Sequence, residues 1–510
     1  YEGLPQGVPL PWQVWVMPIF WWIMLIIAGF VVCACIVVIL RKQWVEYERL
    51  DYPLVSRILD LVDDSEAADG SPQWPRLLTV RLFWIGFACS FGIIAWNIVG
   101  YFDTQWPTIR LSPLGGRFYA CRLCPWIITH INPYTIGFGY FVKLEILFSI
   151  WFFHLLFIAQ VVLLRRTGFQ LGGKDVPGQS WGDPVVKWQS LGALFAFVIW
   201  GLWTARRHLR TVLKKAWTDD PNVDDSGEML PYRTAVVSLL LGVVFIIFWM
   251  AKAGVPLGMI AFIIPTAIIL YIALARFVCE SGTLYLSLPA SPLEVGYQMM
   301  GTVTLSARTV VAASTSTVLP WMLFLPALSQ GAKVADRIRG GKRTIFWAIL
   351  IGLLVALVVN VVIVLNNGYT HGAFNFSEFP FTRYAPRRIG SMVKTIKNPQ
   401  LPSLPHLFVF LLGAAVMIAL TVIRYRMSTW TLHPIGYAIS TTNIRLQATS
   451  LFLVWIAKSL IMRIGGVQLY QRLYPLFLGL IIGRTAGTFV SFIVDLIWFP
   501  GGGHHVHGWA

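Results

Sequence analysis

The chain has 510 residues, and only 12% of them are charged, about half the share found in soluble domains. Hydrophobic residues make up 56%, too many for a soluble enzyme or a disordered chain. A net charge of +17 fits Lys and Arg at loop ends beside anionic lipids, so we expect no nucleic-acid partner. The composition predicts an all-α, polytopic helical integral membrane protein, whose first partner is the lipid bilayer.

Ten stretches of about 20 apolar residues are long enough to cross a bilayer. In chain order they cover residues 14–40, 82–102, 144–164, 191–203, 235–250, 257–274, 345–365, 407–423, 446–461 and 476–499. Residues 41–81, between the first two, form a polar segment with eight acidic residues that we expect to be cytoplasmic. No signal peptide is visible after Tyr1, so we expect a processed chain or one numbered from partway through a longer polypeptide.

The positions of Lys and Arg indicate further membrane-inserted segments. Arg41 and the basic runs at 206–215 and 333–343 are typical of cytoplasmic loop ends, and the ten spans alone cannot place all of them on one side. Three short segments interrupted by Pro or Gly can supply the missing crossings: 126–142, 292–330 and 430–442. Such broken backbone is tolerated only where protein buries it or a cavity adjoins it, as in many transporters. The alternative is that a loop departs from the charge rule.

This topology makes residues 1–510 a single transmembrane domain with external loops at 103–125 and 368–402. Cys121 and Cys124 in the first loop are spaced for a disulfide, a metal site or redox exchange. Pro125 follows where haem attachment would need His, and no second Cys pair could complete a zinc site. We therefore expect a disulfide or two free thiols.

Polar and ionisable residues within apolar runs are costly in a bilayer and are therefore candidates for function. The transport or cavity candidates are Asn132, Glu145, Glu280, Asn360, His433 and Arg484. Glu280 and Arg484 are favoured because each adjoins Gly-containing backbone. Glu145 could instead reach lipid headgroups, as could Lys458 and Asp495. His433 could simply donate to a backbone carbonyl.

Gly479, Gly483 and Gly487 recur every four residues and share one helix face. Small residues at this spacing predict a close approach by another helix. The sequence leaves open whether that helix belongs to the same chain, to a second copy in a homo-oligomer or to another membrane protein.

Common enzyme motifs are missing from the sequence, including those of zinc proteases, serine hydrolases, phosphate-binding loops and dinucleotide sites. We therefore expect no enzymatic activity and no metal site. The identity of any cofactor stays open, because His130, His154 and His433 could bind pigment or haem although their spacing requires neither.

Six motifs are spread along the chain: RKQWVEYERL (41–50), IGFGYF (136–141), WFF (151–153), PYR (231–233), LHPIGY (432–437) and FLGLIIG (477–483). Together they resemble those of a bacterial family of uncharacterised multi-pass membrane proteins that is similar to oligopeptide transporters. The resemblance covers nearly the whole chain and implies a bacterial inner (cytoplasmic) membrane protein. Members of that family carry further spans before the position of Tyr1, which the resemblance implies are missing here.

Two functions from different classes are compatible with these observations. The first is a secondary transporter resembling oligopeptide transporters, which moves a small peptide-like or metal-chelate solute, with Glu280 or another buried carboxylate carrying a coupled proton. The second is a non-catalytic scaffold subunit that docks other membrane chains in a larger complex, for which the glycine face at 479–487 would be the contact.

Overall fold

A computed structural model describes residues 3–5, 8–63, 76–111, 117–125, 127–169, 171, 183–283, 286–316, 324–336, 341–375, 384–427, 429–440, 443–499 and 503–504. The helices in these ranges are α1 (Trp12–Lys42), α2 (Pro53–Asp63), α3 (Arg81–Phe102), α4 (Pro133–Phe141), α5 (Leu144–Thr167), α6 (Pro184–Thr204), α7 (Arg206–Thr218), α8 (Tyr232–Ala253), α9 (Leu257–Ser281), α10 (Pro292–Met300), α11 (Ala307–Ser316), α12 (Phe324–Ala335), α13 (Lys342–Asn367), α14 (Tyr384–Lys397), α15 (Leu404–Arg426), α16 (Pro434–Ile439) and α17 (Ala448–Trp498). Two short strands, β1 (Arg117–Phe118) and β2 (Ile127–Ile128), pair antiparallel.

Within these described ranges, nine helices are long and apolar enough to cross a membrane: α1, α3, α5, α6, α8, α9, α13, α15 and α17. Helix α17 has 51 residues, but Gly466 within it has φ 57° and ψ −150°, which are not helical angles. It therefore consists of two consecutive helices, 448–465 and 467–498. All ten predicted spans are present, and the prediction of an all-α polytopic membrane protein is confirmed.

The three predicted broken segments contain short helices. Helices α4 and α10 have nine residues each and α16 has six. A nine-residue helix is about 13.5 Å long, less than half the thickness of a bilayer core. All six residues of α16 and seven of the nine in α4 and in α10 are buried, so protein surrounds these helices. Residues 126, 317–323, 441 and 442 of these segments lie outside the described ranges.

Helices α4, α10 and α16 all begin with a polar cap followed by Pro. The side chain of Asn132 accepts hydrogen bonds from the Tyr134 and Thr135 amides, Ser291 caps α10 and His433 caps α16. Proline fits the first helical position because its missing N–H would have no partner there. Away from water the remaining amides of the first turn need partners, and these caps supply some of them.

The C-terminal end of α4 is held by a lysine from another helix. The Lys458 ammonium donates to the carbonyl oxygens of Tyr140 and Val142 at 2.8 and 2.7 Å. Lys458 is buried, so its charge is compensated by these carbonyls rather than by water. The short helix therefore has polar partners at both ends inside the protein.

The glycine face of α17 packs against α3 of the same chain. A Cβ atom at Gly479 would collide with the Phe83 carbonyl oxygen, and one at Gly483 with the Phe87 carbonyl oxygen. Gly487 lies against the Ile94 side chain of α3. The tight helix contact expected from the glycine spacing thus forms within one chain, and the glycines do not present this face to another chain.

Ion pairs identify the helix ends that lie together. Arg41 at the end of α1 contacts Glu228, which precedes α8, and Asp336, which follows α12. Lys342 at the start of α13 contacts Asp336 at 2.7 Å. We call this side of the bundle the Arg41 end, and the opposite side, where Trp15 donates to Tyr369, the Trp15 end. The charge rule predicts that the Arg41 end is cytoplasmic.

The segment 126–142 joins the two ends of the bundle. The Ile131 amide donates to the carbonyl of Leu111, which follows α3 at the Trp15 end. Lys143 lies 2.9 Å from the Asp51 carboxylate at the Arg41 end. The chain between them crosses through α4, as the charge pattern predicts.

The other two broken segments connect the ends in the same way. The chain leaves Gly282, which lies against Pro53, and reaches the Trp15 end at Met300, whose side chain lies over Gly258. It returns through α11 and α12 to Asp336. After α15 the chain passes through α16 to Thr449, whose hydroxyl donates to the carbonyl of Ile128.

Parts of the predicted loops lie outside the described ranges. These are 64–75 of the polar segment 41–81, 112–116 of the loop 103–125, and 376–383 of the loop 368–402. In the described parts, α2 and α14 are amphipathic helices, and Cys121 and Cys124 form a disulfide.

Candidate functional site

Glu280 and His433, two of the predicted candidates, lie in contact. The Nε2 atom of His433 is 3.2 Å from a carboxylate oxygen of Glu280. The Nδ1 atom accepts a hydrogen bond from the Ile435 amide, so the proton belongs on Nε2, which donates to Glu280. The contact joins the last turn of α9 to the N-cap residue of α16.

Ser149 on α5 completes this contact from the other side of α16. The His433 amide donates to the Ser149 hydroxyl at 2.6 Å, and the hydroxyl donates to the Glu145 carbonyl. Gly436 allows the approach, because a Cβ there would lie 2.6 Å from the Ser149 backbone. Helices α5, α9 and α16 are therefore joined through one polar cluster near the Arg41 end.

The remaining predicted candidates have different surroundings. The Asn132 side chain caps α4, and its backbone amide donates to the Ser450 hydroxyl at 3.0 Å. The side chain of Glu145 is 51% exposed and forms an ion pair with Arg424 at 2.8 Å. Asn360 is exposed on the outer face of α13, a fully described helix of which only Phe346 is buried. The structure does not bring the side chains of Asn132, Glu145 and Asn360 into the Glu280–His433 contact, and Glu145 takes part only through its backbone carbonyl, which accepts from Ser149.

Arg484 is buried within the pair formed by α3 and the second half of α17. It is close enough to Tyr101 of α3 to interact with it electrostatically. Asp495, on the same helix, contacts His504 at 2.8 Å. Arg484 thus lies in the α3–α17 contact.

A second interior charge cluster escaped the sequence analysis. Lys187 in the first turn of α6 and Glu294 in the first turn of α10 are each 2% exposed, and they interact electrostatically. Arg445, just before α17, also acts on Lys187. Charged residues are rarely this buried without a specific role.

The sequence offered a weak signal for this cluster. Ser291 and Glu294 have the spacing of a capping box, in which an acidic residue at the third helical position is ordinary. Lys187 precedes the apolar stretch 191–203 and so resembles a residue at a membrane surface. Only the tertiary structure, which buries both side chains together, distinguishes them from such surface residues.

The Arg41 end contains a third buried charge network. Arg41 is 4% exposed and donates through Nε and Nη2 to the two carboxylate oxygens of Glu228, at 2.6 and 2.5 Å, and through Nη1 to Asp336 at 2.9 Å. Nearby, His208 of α7 donates from Nε2 to the carbonyl of Ile39 at 2.8 Å. Burial lowers the pKa of His208, which keeps this imidazole neutral at pH 7.

A small apolar cavity of about 50 Å³ lies between α1, α8 and α9. Tyr271 and Ser316 are among the residues that line it. The cavity contains neither Glu280 nor Glu294 in its lining, so it is separate from the interior charges.

Short capped helices, enclosed by long apolar helices and accompanied by buried charges, define a class of multi-pass helical membrane protein. The chain belongs to a family of unknown function, DUF6785, whose model matches residues 1–502. The resemblance to an uncharacterised multi-pass family is thereby confirmed at the level of the family. No curated protein matches the chain.

Proposed function

We propose that this protein is a secondary transporter, resembling oligopeptide transporters, that moves a small peptide-like or metal-chelate solute together with a proton. The observation that carries the proposal is the set of three short helices, α4, α10 and α16, most of whose residues are buried within the bundle. We further propose that it resides in a bacterial inner membrane.

Interrupted helices are energetically unfavourable at membrane depth. Each unpaired backbone group there costs several kcal/mol, and continuous helices would avoid this cost. The three interruptions are each capped by a side chain, from Asn132, Ser291 and His433. They support a functional requirement for helix ends within the bundle. Transporters use such ends to bind polar solutes and ions near the membrane midplane.

The interior charges support the same proposal. Lys187, Glu294, Glu280 and His433 lie on or beside the short helices, where a solute carrying both an ammonium and a carboxylate group would find charges of each sign. A scaffold would not need these charges. Its main support, the glycine face of α17, is already used by α3.

Uptake into proteoliposomes tests the proposal. Purified protein is reconstituted, and accumulation of labelled di- and tripeptides and of small metal chelates is followed with and without an inward proton gradient. We expect gradient-dependent accumulation of at least one class, accompanied by alkalinisation outside the vesicles. Protein-free liposomes are the control. A failure of every candidate to accumulate under either condition would contradict the proposal.

A further inference from the structure

We infer that Glu294 is the interior proton-binding carboxylate and that Lys187 is its charge partner. The inference rests on the proposed function only for the role of that proton in transport. The proton-binding site itself is argued from the surroundings of the two side chains.

Glu294 is enclosed, and its hydrogen bonding is incomplete. Its Oε2 atom is buried and has no hydrogen-bond partner among the described residues. The Glu294 amide donates to the Ser291 hydroxyl at 3.1 Å, which holds the residue at the start of α10. An ionised carboxylate away from water needs partners for its oxygens, whereas a protonated one carries no charge to compensate.

Two influences oppose the effect of burial. Lys187 attracts the ionised carboxylate, and the N-terminal end of α10 also favours a negative group. Burial therefore favours the protonated form of Glu294, whereas Lys187 and the helix end favour the ionised form. A change in the distance between α6 and α10 would favour one form over the other.

Lys187 retains a counter-charge when Glu294 is protonated. Asp183 caps α6 by accepting a hydrogen bond from the Val185 amide at 3.1 Å, and its carboxylate attracts the Lys187 ammonium. The positive charge of Arg445 repels Lys187. Protonation of Glu294 thus leaves a lysine that is still accompanied by a carboxylate.

The other elements around α10 contribute few titratable groups in the described residues. Helix α9 places Met259 and Ile263 against Gly296, and both are apolar. The phenol of Tyr297, on α10 itself, contacts Ser314 of α11. On α15, His406 hydrogen-bonds with Ser403 and packs against Trp188 of α6.

The outer end of α10 is fixed, which places Glu294 at depth. The Ser403 amide donates to the Gln298 carbonyl at 2.9 Å, and the Thr302 amide donates to the Gln400 carbonyl at 2.7 Å. Glu294 lies six residues before Met300, about 9 Å along the helix toward the interior. A proton bound there is away from both ends of the bundle.

Infrared titration in lipid nanodiscs tests the inference without any solute. As the pH is lowered, we expect the C=O stretching band of a protonated carboxylic acid to appear, to be lost in Glu294→Gln and to remain in the matched control Glu280→Gln. Persistence of the whole band in Glu294→Gln would overturn the inference, as would its loss only in Glu280→Gln.

Labelling with dicyclohexylcarbodiimide, which reacts with protonated carboxyl groups in apolar surroundings, gives a second readout on the wild-type protein. We expect an adduct on the peptide containing Glu294, falling about tenfold for each pH unit above its half-protonation point. A pH-independent or missing adduct would overturn the inference even if Glu294→Gln failed to fold. Wild-type protein that gains the band and adduct but moves no solute would refute the transporter proposal alone. Gradient-driven uptake unchanged in Glu294→Gln would refute the role of the Glu294 proton in transport, which the infrared and labelling experiments do not test.

Discussion

Substitution of Gly483 by Ala should destabilise the α3–α17 contact. The added Cβ would lie 2.6 Å from the Ser90 hydroxyl and 2.8 Å from the Phe87 Cα, as well as against the Phe87 carbonyl. Carbon atoms need about 3.5 Å, so α3 must move by roughly 0.7 Å. Such overpacking costs about 1–3 kcal/mol. The Ser90 hydroxyl donates to the Leu480 carbonyl at 2.7 Å, and loss of this hydrogen bond would lower the free energy of unfolding by about 1 kcal/mol more.

The assay is reversible unfolding in mixed micelles of mild detergent and dodecyl sulfate, followed by tryptophan fluorescence. We expect the free energy of unfolding to fall by about 2–4 kcal/mol. Gly92→Ala on α3 is the matched control, because a Cβ at that helical position meets nothing within 4 Å. It should be neutral or slightly stabilising. Equal stability of the two variants would refute the reasoning that this contact requires glycine.

Three further predictions concern buried charges. Replacing Lys458 by Met should lower the free energy of unfolding by about 2–4 kcal/mol, because two carbonyls of the α4 terminus lose a charged donor. Replacing Arg41 by Met should cost about 3–5 kcal/mol, because Glu228 is left buried and unpaired. His208 should make the protein less stable as pH falls below about 6.5, since its pKa is lowered in the folded state and the unfolded chain binds the proton more readily.

The same unfolding assay provides the controls. The double variant Arg41→Met with Glu228→Gln should recover part of the loss, and a double variant less stable than Arg41→Met would contradict the pairing argument. Lys458→Met should not alter stability if the ammonium instead reaches lipid headgroups. For His208→Gln, the drop in stability on acidification should be smaller than in wild type, and an unchanged pH profile would exclude His208 as its source.

The spans could be predicted from the sequence because hydropathy is a local property. The short helices were accessible through a global constraint, since the basic residues near Arg41, 206–215 and 333–343 had to share one side. The exact surroundings of each polar residue were not accessible in this way. Asn360 and Glu280 both interrupt apolar runs, yet one is exposed on α13 and the other contacts a histidine.

Pairings between distant residues account for most of what sequence reasoning missed. Glu280 and His433 were separate candidates, and only the tertiary fold, which places the end of α9 beside the N-cap of α16, brings them within 3.2 Å. Lys187 and Glu294 were missed because each has an ordinary local explanation, at a polar flank and in a first helical turn. Their burial depends on neighbouring helices that no local pattern describes.

The lysine at the end of α4 also constrains how the protein is made. The carbonyl of Tyr140 and its partner Lys458 are 318 positions apart in the chain. During synthesis, the segment containing α4 leaves the ribosome long before the residue that completes its hydrogen bonding. The hydrogen bonding of α4 is therefore completed only after most of the chain has been made.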